Sequence, residues 1–329
     1  MGNILQMEEA ILGLPAQFNF KPVIDNKEKL KTDPELVVVV GLGGSHLCGG
    51  ILGAINPTLP LLIHNDYGLP ELPESLRKKT LFVLVSYSGN TEEVINAFES
   101  SRSKNEDVVV ITTGGKLGKM AKEAEVPTVI MPDIGIQPRN AVGYSTISLA
   151  TVLSDGSSVE EMRELTEKLD PEKEREQGEK VAEEVHDLVP LIYSSKANQI
   201  IAYNWKIKFN ETSKIPSFYN FFPELNHNEM EGFGVIDTTK ELSSIFKVCF
   251  LSDIDDDPRV IKRMEETEKI YRERRIKTLR LELKGDNKAE KIFRSLLVAD
   301  WTALKLSRSY YDTDADNVPM VEKFKKLIE

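Results

Sequence analysis

Apolar residues in the first half of the chain fall in short, unbroken runs rather than in alternation. ELVVVVGLGG (35–44) is the clearest, and LPLLIHNDY (59–67), TLFVLVSYSG (80–89), DVVVITTGG (107–115) and VPTVIMP (126–132) repeat the form. A strand that is apolar at every position is buried on both faces, the signature of a parallel sheet covered on both sides. Segments of helical period lie between the runs. In TEEVINAFESSRS (91–103), Val94, Ile95 and Phe98 form one stripe. RNAVGYSTISLATVLSDG (139–156) reads as a buried helix. Strands and helices in alternation predict an α/β fold around a parallel sheet.

The pattern changes at residue 157. Residues 157–188 are rich in Glu and Lys and read as a solvated connector of two helices broken near Pro171. Alternation then resumes. NQIIAYN (198–204), SSIFKVCFLSD (243–253) and KTLRLELKG (277–285) read as strands. Residues 258–275 and 288–311 read as helices, and 318–329 as a short closing helix with Pro319 in its first turn. The expected organisation is an N-terminal domain over 1–155, a helical connector over 156–190, and a smaller C-terminal domain over 191–329.

A length of 329 residues suits two domains of ordinary size. The net charge of −11 disfavours nucleic acid and anionic membrane as partners. It does not bar a small anion, which a nest of backbone N–H groups binds locally. Cys48 and Cys249 stand far apart, so cysteine spacing offers neither a disulfide framework nor a zinc pattern. No early segment has the form of a signal peptide and no apolar run reaches membrane length, so a cytoplasmic protein is expected.

In an open parallel sheet, ligands sit beyond the carboxyl ends of the strands. Gly41-Leu42-Gly43-Gly44-Ser45 ends the first strand but fails the dinucleotide fingerprint, because His46 stands where the third glycine belongs. No acidic residue ends the next strand, and no Gly-Lys-Ser/Thr makes a P-loop. Alone, this turn reads equally well as structural or as ligand-binding. Ser86-Tyr87-Ser88-Gly89-Asn90-Thr91 says more, with three hydroxyls ahead of a helix N-terminus. Thr91 before Glu92 and Glu93 reads as an ordinary N-cap, but that leaves both serines unexplained. A single phosphate monoester, held without metal, fits the loop better than a nucleotide. The third loop is Thr112-Thr113-Gly114-Gly115.

Residues 86–93, Ser-Tyr-Ser-Gly-Asn-Thr-Glu-Glu, resemble the phosphosugar loop of sugar isomerase (SIS) domains, and Gly41–Ser45 resembles the first loop of the same domain. Pro138–Ser145 (PRNAVGYS), Asn210–Lys214 (NETSK) and Glu224–Glu229 (ELNHNE) together resemble the bifunctional phosphoglucose/phosphomannose isomerases. The resemblance runs over nearly the whole chain, in the right order. It implies two SIS-type domains, each a parallel-sheet three-layer α/β sandwich. It also implies interconversion of glucose 6-phosphate, and less securely mannose 6-phosphate, with fructose 6-phosphate. The chemistry would need no cofactor and no metal, and the enzyme would be a homodimer.

Aldose–ketose isomerisation needs a base to move a proton between C1 and C2, an acid to open the ring, and a cation for the enediolate. Glu211 follows an apolar, aromatic stretch and is expected to be partly buried, a setting that suits a base; the resemblance makes it the catalytic base. His227 lies between Glu224 and Glu229, which would orient it. The resemblance makes His227 the ring-opening acid, reaching across from a neighbouring subunit. Arg139 sits at a helix start, against the dipole, which suggests a use, and the resemblance implies that it stabilises the enediolate. The resemblance also implies that a lysine of the closing helix, Lys325 with Lys326 as competitor, assists ring opening. Gly44, Ser45, Ser86, Ser88, Thr91 and Arg139 would hold the substrate, and the resemblance implies a threonine near the closing helix that leaves room for the C2 epimer, for which Thr313 is the candidate. His46, His64 and His186 read as incidental, and Cys48 as a packing residue. Two rivals stand beside this reading: an isomerase of another sugar phosphate, and a sensor that binds sugar phosphate without turning it over. A glutamine-using synthase would need cysteine where Gly2 stands.

Overall fold

The structure is a computed structural model that describes residues 2–234, 237–310 and 317–328. Its backbone divides into two compact units. One, here the N-terminal unit, is Gly13–Lys168; the other, the C-terminal unit, is Met1–Leu12 with Leu169–Glu329.

The N-terminal unit holds β1 (Ile24–Asp25), β2 (Leu36–Val40), β3 (Leu61–His64), β4 (Thr80–Ser86), β5 (Val108–Thr112) and β6 (Thr128–Ile130). They form one sheet in the order β1-β6-β5-β4-β2-β3. Only the two-residue edge strand β1 runs antiparallel. The register is fixed by pairs such as Val38 with Phe82 and Leu84 with Val110. Every residue of β4 is buried. Val38, Val40, Phe82, Leu84, Val108 and Val110 point to one face. There they pack against Val94 and Phe98 of helix Glu92–Ser103 and against Leu117 of helix Gly115–Glu123. The alternate residues are equally buried, on the side of helices Leu47–Ile55 and Val142–Val152. This is the covered parallel sheet that the unbroken apolar runs predict.

The C-terminal unit holds β7 (Val189–Ser195), β8 (Phe218–Phe222), β9 (Phe246–Ser252) and β10 (Lys277–Glu282), all parallel, in the order β10-β9-β7-β8. One face carries Tyr193, Phe222 and Phe250, packed with Met264 and Tyr271 of helix Pro258–Glu273. Helices Gln199–Lys208 and Lys288–Tyr310 cover the other. The helix Pro171–Val185 packs on Lys288–Tyr310, burying Val181, Ala182 and Val185.

One expectation for this half fails. Residues 198–204 are not a strand; they begin the helix Gln199–Lys208. That helix buries Ile200, Ile201, Ala202, Asn204, Trp205, Ile207 and Lys208, so it is covered on nearly every side. A short run buried all round has no apolar stripe, and periodicity cannot separate it from a strand. The strands on either side, β7 and β8, were not anticipated.

Both sheets are wound in the same sense. In chain order, the parallel strands of the N-terminal unit lie 2-1-3-4-5 and those of the C-terminal unit 2-1-3-4. Each winding reverses between its first and third strands, and a crevice opens at the carboxyl ends there. In the C-terminal unit that crevice is filled by the protein's own groups. Ser195 Oγ donates to Asp256 at 2.6 Å, and Asn198 Nδ2 donates to Asp253 at 3.1 Å. Lys288 and Lys291 both pair with Asp253, at 2.8 and 2.5 Å.

Candidate active site

In the N-terminal unit the reversal lies between β2 and β4. The loops that follow them, Gly41–Ser45 and Tyr87–Thr91, therefore flank the crevice. They are tied together directly: the Tyr87 backbone N–H donates to Ser45 Oγ at 3.1 Å. Ser86, the last residue of β4, is buried, and its Oγ lies 2.9 Å from Thr91 Oγ1. The Gly89 N–H donates to Ser86 Oγ at 3.1 Å. Ser88 is exposed, its Oγ accepting from the Asn90 N–H at 3.2 Å.

Thr91 occupies the N-cap position of helix Glu92–Ser103, yet its side chain makes no capping hydrogen bond. The ordinary-cap reading is therefore set aside: the hydroxyl turns toward Ser86 instead. The first N–H groups of that helix have no capping side chain to meet them.

Close backbone packing holds the loop in shape. Gly89 has φ +66°, and a Cβ there would stand 1.9 Å from the Gly114 carbonyl oxygen. Thr113 donates to the Tyr87 carbonyl through both its N–H, at 3.1 Å, and its Oγ1, at 2.7 Å. The third loop thus serves as a brace behind the second.

Arg139 lies in the short turn Pro138–Asn140, before helix Val142–Val152, and is 1% exposed. That removes the reading of a surface charge. The turn presses on the first loop: a Cβ on Gly44 would stand 2.6 Å from the Arg139 backbone N. Gly44, Ser45, Ser86, Thr91 and Arg139 are thus brought to one end of one sheet, with Ser88 on the same loop.

Sequence reasoning missed Gln17. Its buried amide donates from Nε2 to the Asn140 carbonyl at 2.6 Å and accepts from the Gly143 N–H at 3.0 Å and the Tyr144 N–H at 3.3 Å. One side chain thereby closes the Arg139 turn and caps the helix behind it. Its partners lie more than 120 residues away, so no local pattern could have pointed to it.

The other candidates belong to the C-terminal unit. Glu211 is half-buried in a π-helical turn, Phe209–Ser213, that continues helix Gln199–Lys208. It stands at the end of a helix rather than at a start, and π turns recur at functional sites. His227 is exposed at the end of the turn Glu224–His227. The expected orientation by its flanking carboxylates is not seen. Glu229 accepts from Tyr193 Oη at 2.6 Å and from Asn220, and Glu224 accepts from Asn228 at 2.9 Å. Glu229 thus anchors the loop to the sheet and Glu224 bonds within the loop, while the imidazole is exposed. Lys325 lies on the terminal helix Pro319–Ile328, every residue of which is exposed. Neither His227 nor Lys325 forms a hydrogen bond or ion pair with the described residues. Thr313 lies outside the described residues.

Cys48 is fully buried, and burial pushes its thiol up to about 12, so it is a packing residue and no nucleophile. Among the described residues, no three His, Cys, Asp or Glu side chains gather as a metal site. No described helix is long and apolar enough to cross a membrane.

Comparison with known proteins places this architecture. Residues 174–328 match the model of the bacterial phospho-glucose isomerase C-terminal SIS domain. The bifunctional phosphoglucose/phosphomannose isomerase of Thermoplasma volcanium is 34% identical over 98% of this chain and 100% of its own length. That of Caldicellulosiruptor bescii is 30% identical over 98% of this chain and 99% of its own. Among solved structures, glucosamine-6-phosphate deaminase from Thermotoga maritima superposes with a TM-score of 0.68 at 16% identity, covering 96% of this chain and 97% of that one. Full-length similarity, two doubly wound sheets and hydroxyl-lined loops at the first switch point agree: the chain belongs to the bifunctional phosphoglucose/phosphomannose isomerase family.

Proposed function

We propose that this protein interconverts glucose 6-phosphate and mannose 6-phosphate with fructose 6-phosphate through a cis-enediol, without a metal or cofactor. The observation that carries the reading is the set of hydroxyls and free helix N–H groups at the β2–β4 reversal, in a chain of this family. Ser45, Ser86, Ser88 and Thr91 hold the phosphate, and the Gly44 backbone lets the first loop close on the substrate. A phosphate dianion there gains charge-assisted hydrogen bonds and the helix dipole, so no lysine is needed against the acidic surface.

The chemistry then needs a proton moved between adjacent carbons. Glu211 takes the proton from C2 of the open aldose, and the C1 carbonyl becomes the enediol oxygen. The same carboxyl returns the proton to C1, while the C2 hydroxyl gives its proton to the C1 oxygen and becomes the ketone. Arg139 offsets the negative charge that develops on the enediolate oxygens. His227 and Lys325 move protons between the ring oxygen and the C1 hydroxyl when the ring opens. His227 is exposed and has no side-chain partner among the described residues, which supports a role at the site of a second copy in a homodimer. Residues 1–155 would carry the substrate loops, 156–190 the connector, and 191–329 the proton-moving groups, in a cytoplasmic enzyme.

Conversion of fructose 6-phosphate to each aldose, followed in chelator, tests the reading. The wild type should form both products. Glu211→Gln should lose about 10²- to 10⁴-fold in kcat, the usual worth of a general base. Sugar-phosphate binding with no turnover would identify a sensor instead, and loss of activity in chelator would refute the metal-free course.

A further inference from the structure

The π turn that carries Glu211 is an unusual place to mount a side chain that must be aimed. A π turn holds one more residue than an α turn and relaxes to α geometry if its register slips. One residue of slip rotates a helical side chain by about 100°. Something must hold the register.

Immediately before the turn, Lys208 is 1% exposed and pairs with Asp300, itself 4% exposed, at 2.7 Å. At the far end of the turn, Ser213 Oγ donates to the Ala303 carbonyl at 3.0 Å. Asp300 and Ala303 lie three residues apart on helix Lys288–Tyr310, and hence on one face of it. Both ends of the five-residue turn are thus fastened to the same rigid helix. One turn of helix before Lys208, Trp205 Nε1 donates to Ser295 Oγ at 2.9 Å on that helix as well. The loop closing the turn is cinched locally. Lys214 Nζ donates to the Glu211 carbonyl, and Asn210 Nδ2 to the Ile215 carbonyl, both at 3.0 Å.

A buried ion pair is a poor way to gain stability. Desolvation cancels most of its attraction, and apolar residues of like volume usually do as well. What such a pair does supply is a defined register, because any slip strands two charges in a dry interior. We propose that Lys208 and Asp300 are positioning residues: with Ser213, they fix the register in which the π turn presents Glu211. The proposal rests on the reading of Glu211 as the base.

The test is the double variant Lys208→Met/Asp300→Leu, which removes both charges of the pair together. Melting temperature should stay near that of the wild type. Amide hydrogen exchange over Phe209–Ile215 should quicken, and kcat should fall by about 10- to 100-fold with little change in KM, the effect of misaiming a catalytic group. Lys208→Arg, which keeps the pair, should retain most of the rate. Wild-type kcat in the double variant, or unchanged exchange over the turn, overturns the proposal. Failure of the base assignment appears separately, as full activity in Glu211→Gln; the exchange measurement still reads the register in that case. Should the double variant not fold, Ser213→Ala removes the other fastening without touching a charge and should show the same loss of kcat, and a wild-type rate there overturns the proposal.

Discussion

Gly43 and Gly44 are neighbours in the first loop, and substituting each should have a different effect. An alanine Cβ at 44 would lie 2.6 Å from both the Arg139 N and the Pro138 carbonyl carbon, and 3.0 Å from the Arg139 Cα. These are backbone atoms, so no side-chain rotation relieves the clash. Reaching the 3.4 Å of ordinary contact requires the loop and the Arg139 turn to part by about 0.8 Å. Misplacement on the scale of 1 Å costs up to about 10²-fold in rate. Gly44→Ala should therefore lower kcat/KM by about 10- to 100-fold, roughly 1.4–2.7 kcal/mol of transition-state stabilisation. Overpacking should also destabilise the fold by about 1–3 kcal/mol. At Gly43 the φ is +55° and a Cβ would meet nothing within 4 Å. Gly43→Ala should cost about 1–2 kcal/mol in backbone strain and leave kcat/KM near wild type. Glucose 6-phosphate formed from fructose 6-phosphate can be followed continuously by oxidation with a dehydrogenase, beside urea unfolding of both variants. If Gly44→Ala turns over like the wild type, or if the two variants lose activity equally, then the contact between Gly44 and the Arg139 turn does not shape the site.

Three further outcomes are expected. Thr91→Val removes a hydroxyl that caps nothing, so the melting temperature should hold while KM for sugar phosphate rises by about 10-fold or more, the worth of one hydrogen bond to a charged group; an unchanged KM removes Thr91 from the phosphate site. Gln17→Leu strands the Asn140 carbonyl and the Gly143 N–H in the interior, so urea unfolding should show a loss of about 2–4 kcal/mol, with kcat reduced through the Arg139 turn; a variant of full stability and rate would contradict the clamp. For Asp253, burial raises the carboxyl pKa, but hydrogen bonds from Lys288 and Lys291 outweigh it and hold the group well below its ordinary 3.8. A depressed folded value means stabilisation that is complete at neutral pH and lost as pH falls below about 4. Asp253→Asn should therefore lose about 3 kcal/mol at pH 7 and visibly less at pH 3, and a gap between urea midpoints that fails to narrow counts against the pairing.

The N-terminal half was legible because its strands are hydrophobic on both faces and end in glycine or hydroxyl residues. Such a run, as in Val37–Val40, is β-branched throughout and stopped by glycine, which favours a buried parallel strand over a helix. The C-terminal half was read less well, because helix Gln199–Lys208 is buried nearly all round while β8 is half exposed, with Phe218 and Tyr219 open to solvent. Loop chemistry followed the same divide. Ser86, Ser88 and Thr91 share six residues of sequence and could be seen together. Gln17 meets its partners only through the fold, and Lys208 meets Asp300 across 92 residues of chain. The role expected of Glu229 failed for a related reason: adjacency to His227 suggested a partner, but Tyr193 and Asn220 claim its carboxylate from the sheet.

The common winding of the two sheets has a consequence for how charge is shared out along the chain. The second crevice contains its own counterions. Lys288 and Lys291 are already matched to Asp253, with Asn198 and Ser195 turned inward on the same acids. An incoming phosphate would have to compete with carboxylates that never leave. The two loops of the first crevice are built the other way, from hydroxyls and backbone N–H groups that carry no formal charge. Two halves of one design thus part company in what they set at the switch point: one places matched ion pairs there, the other two loops of neutral donors.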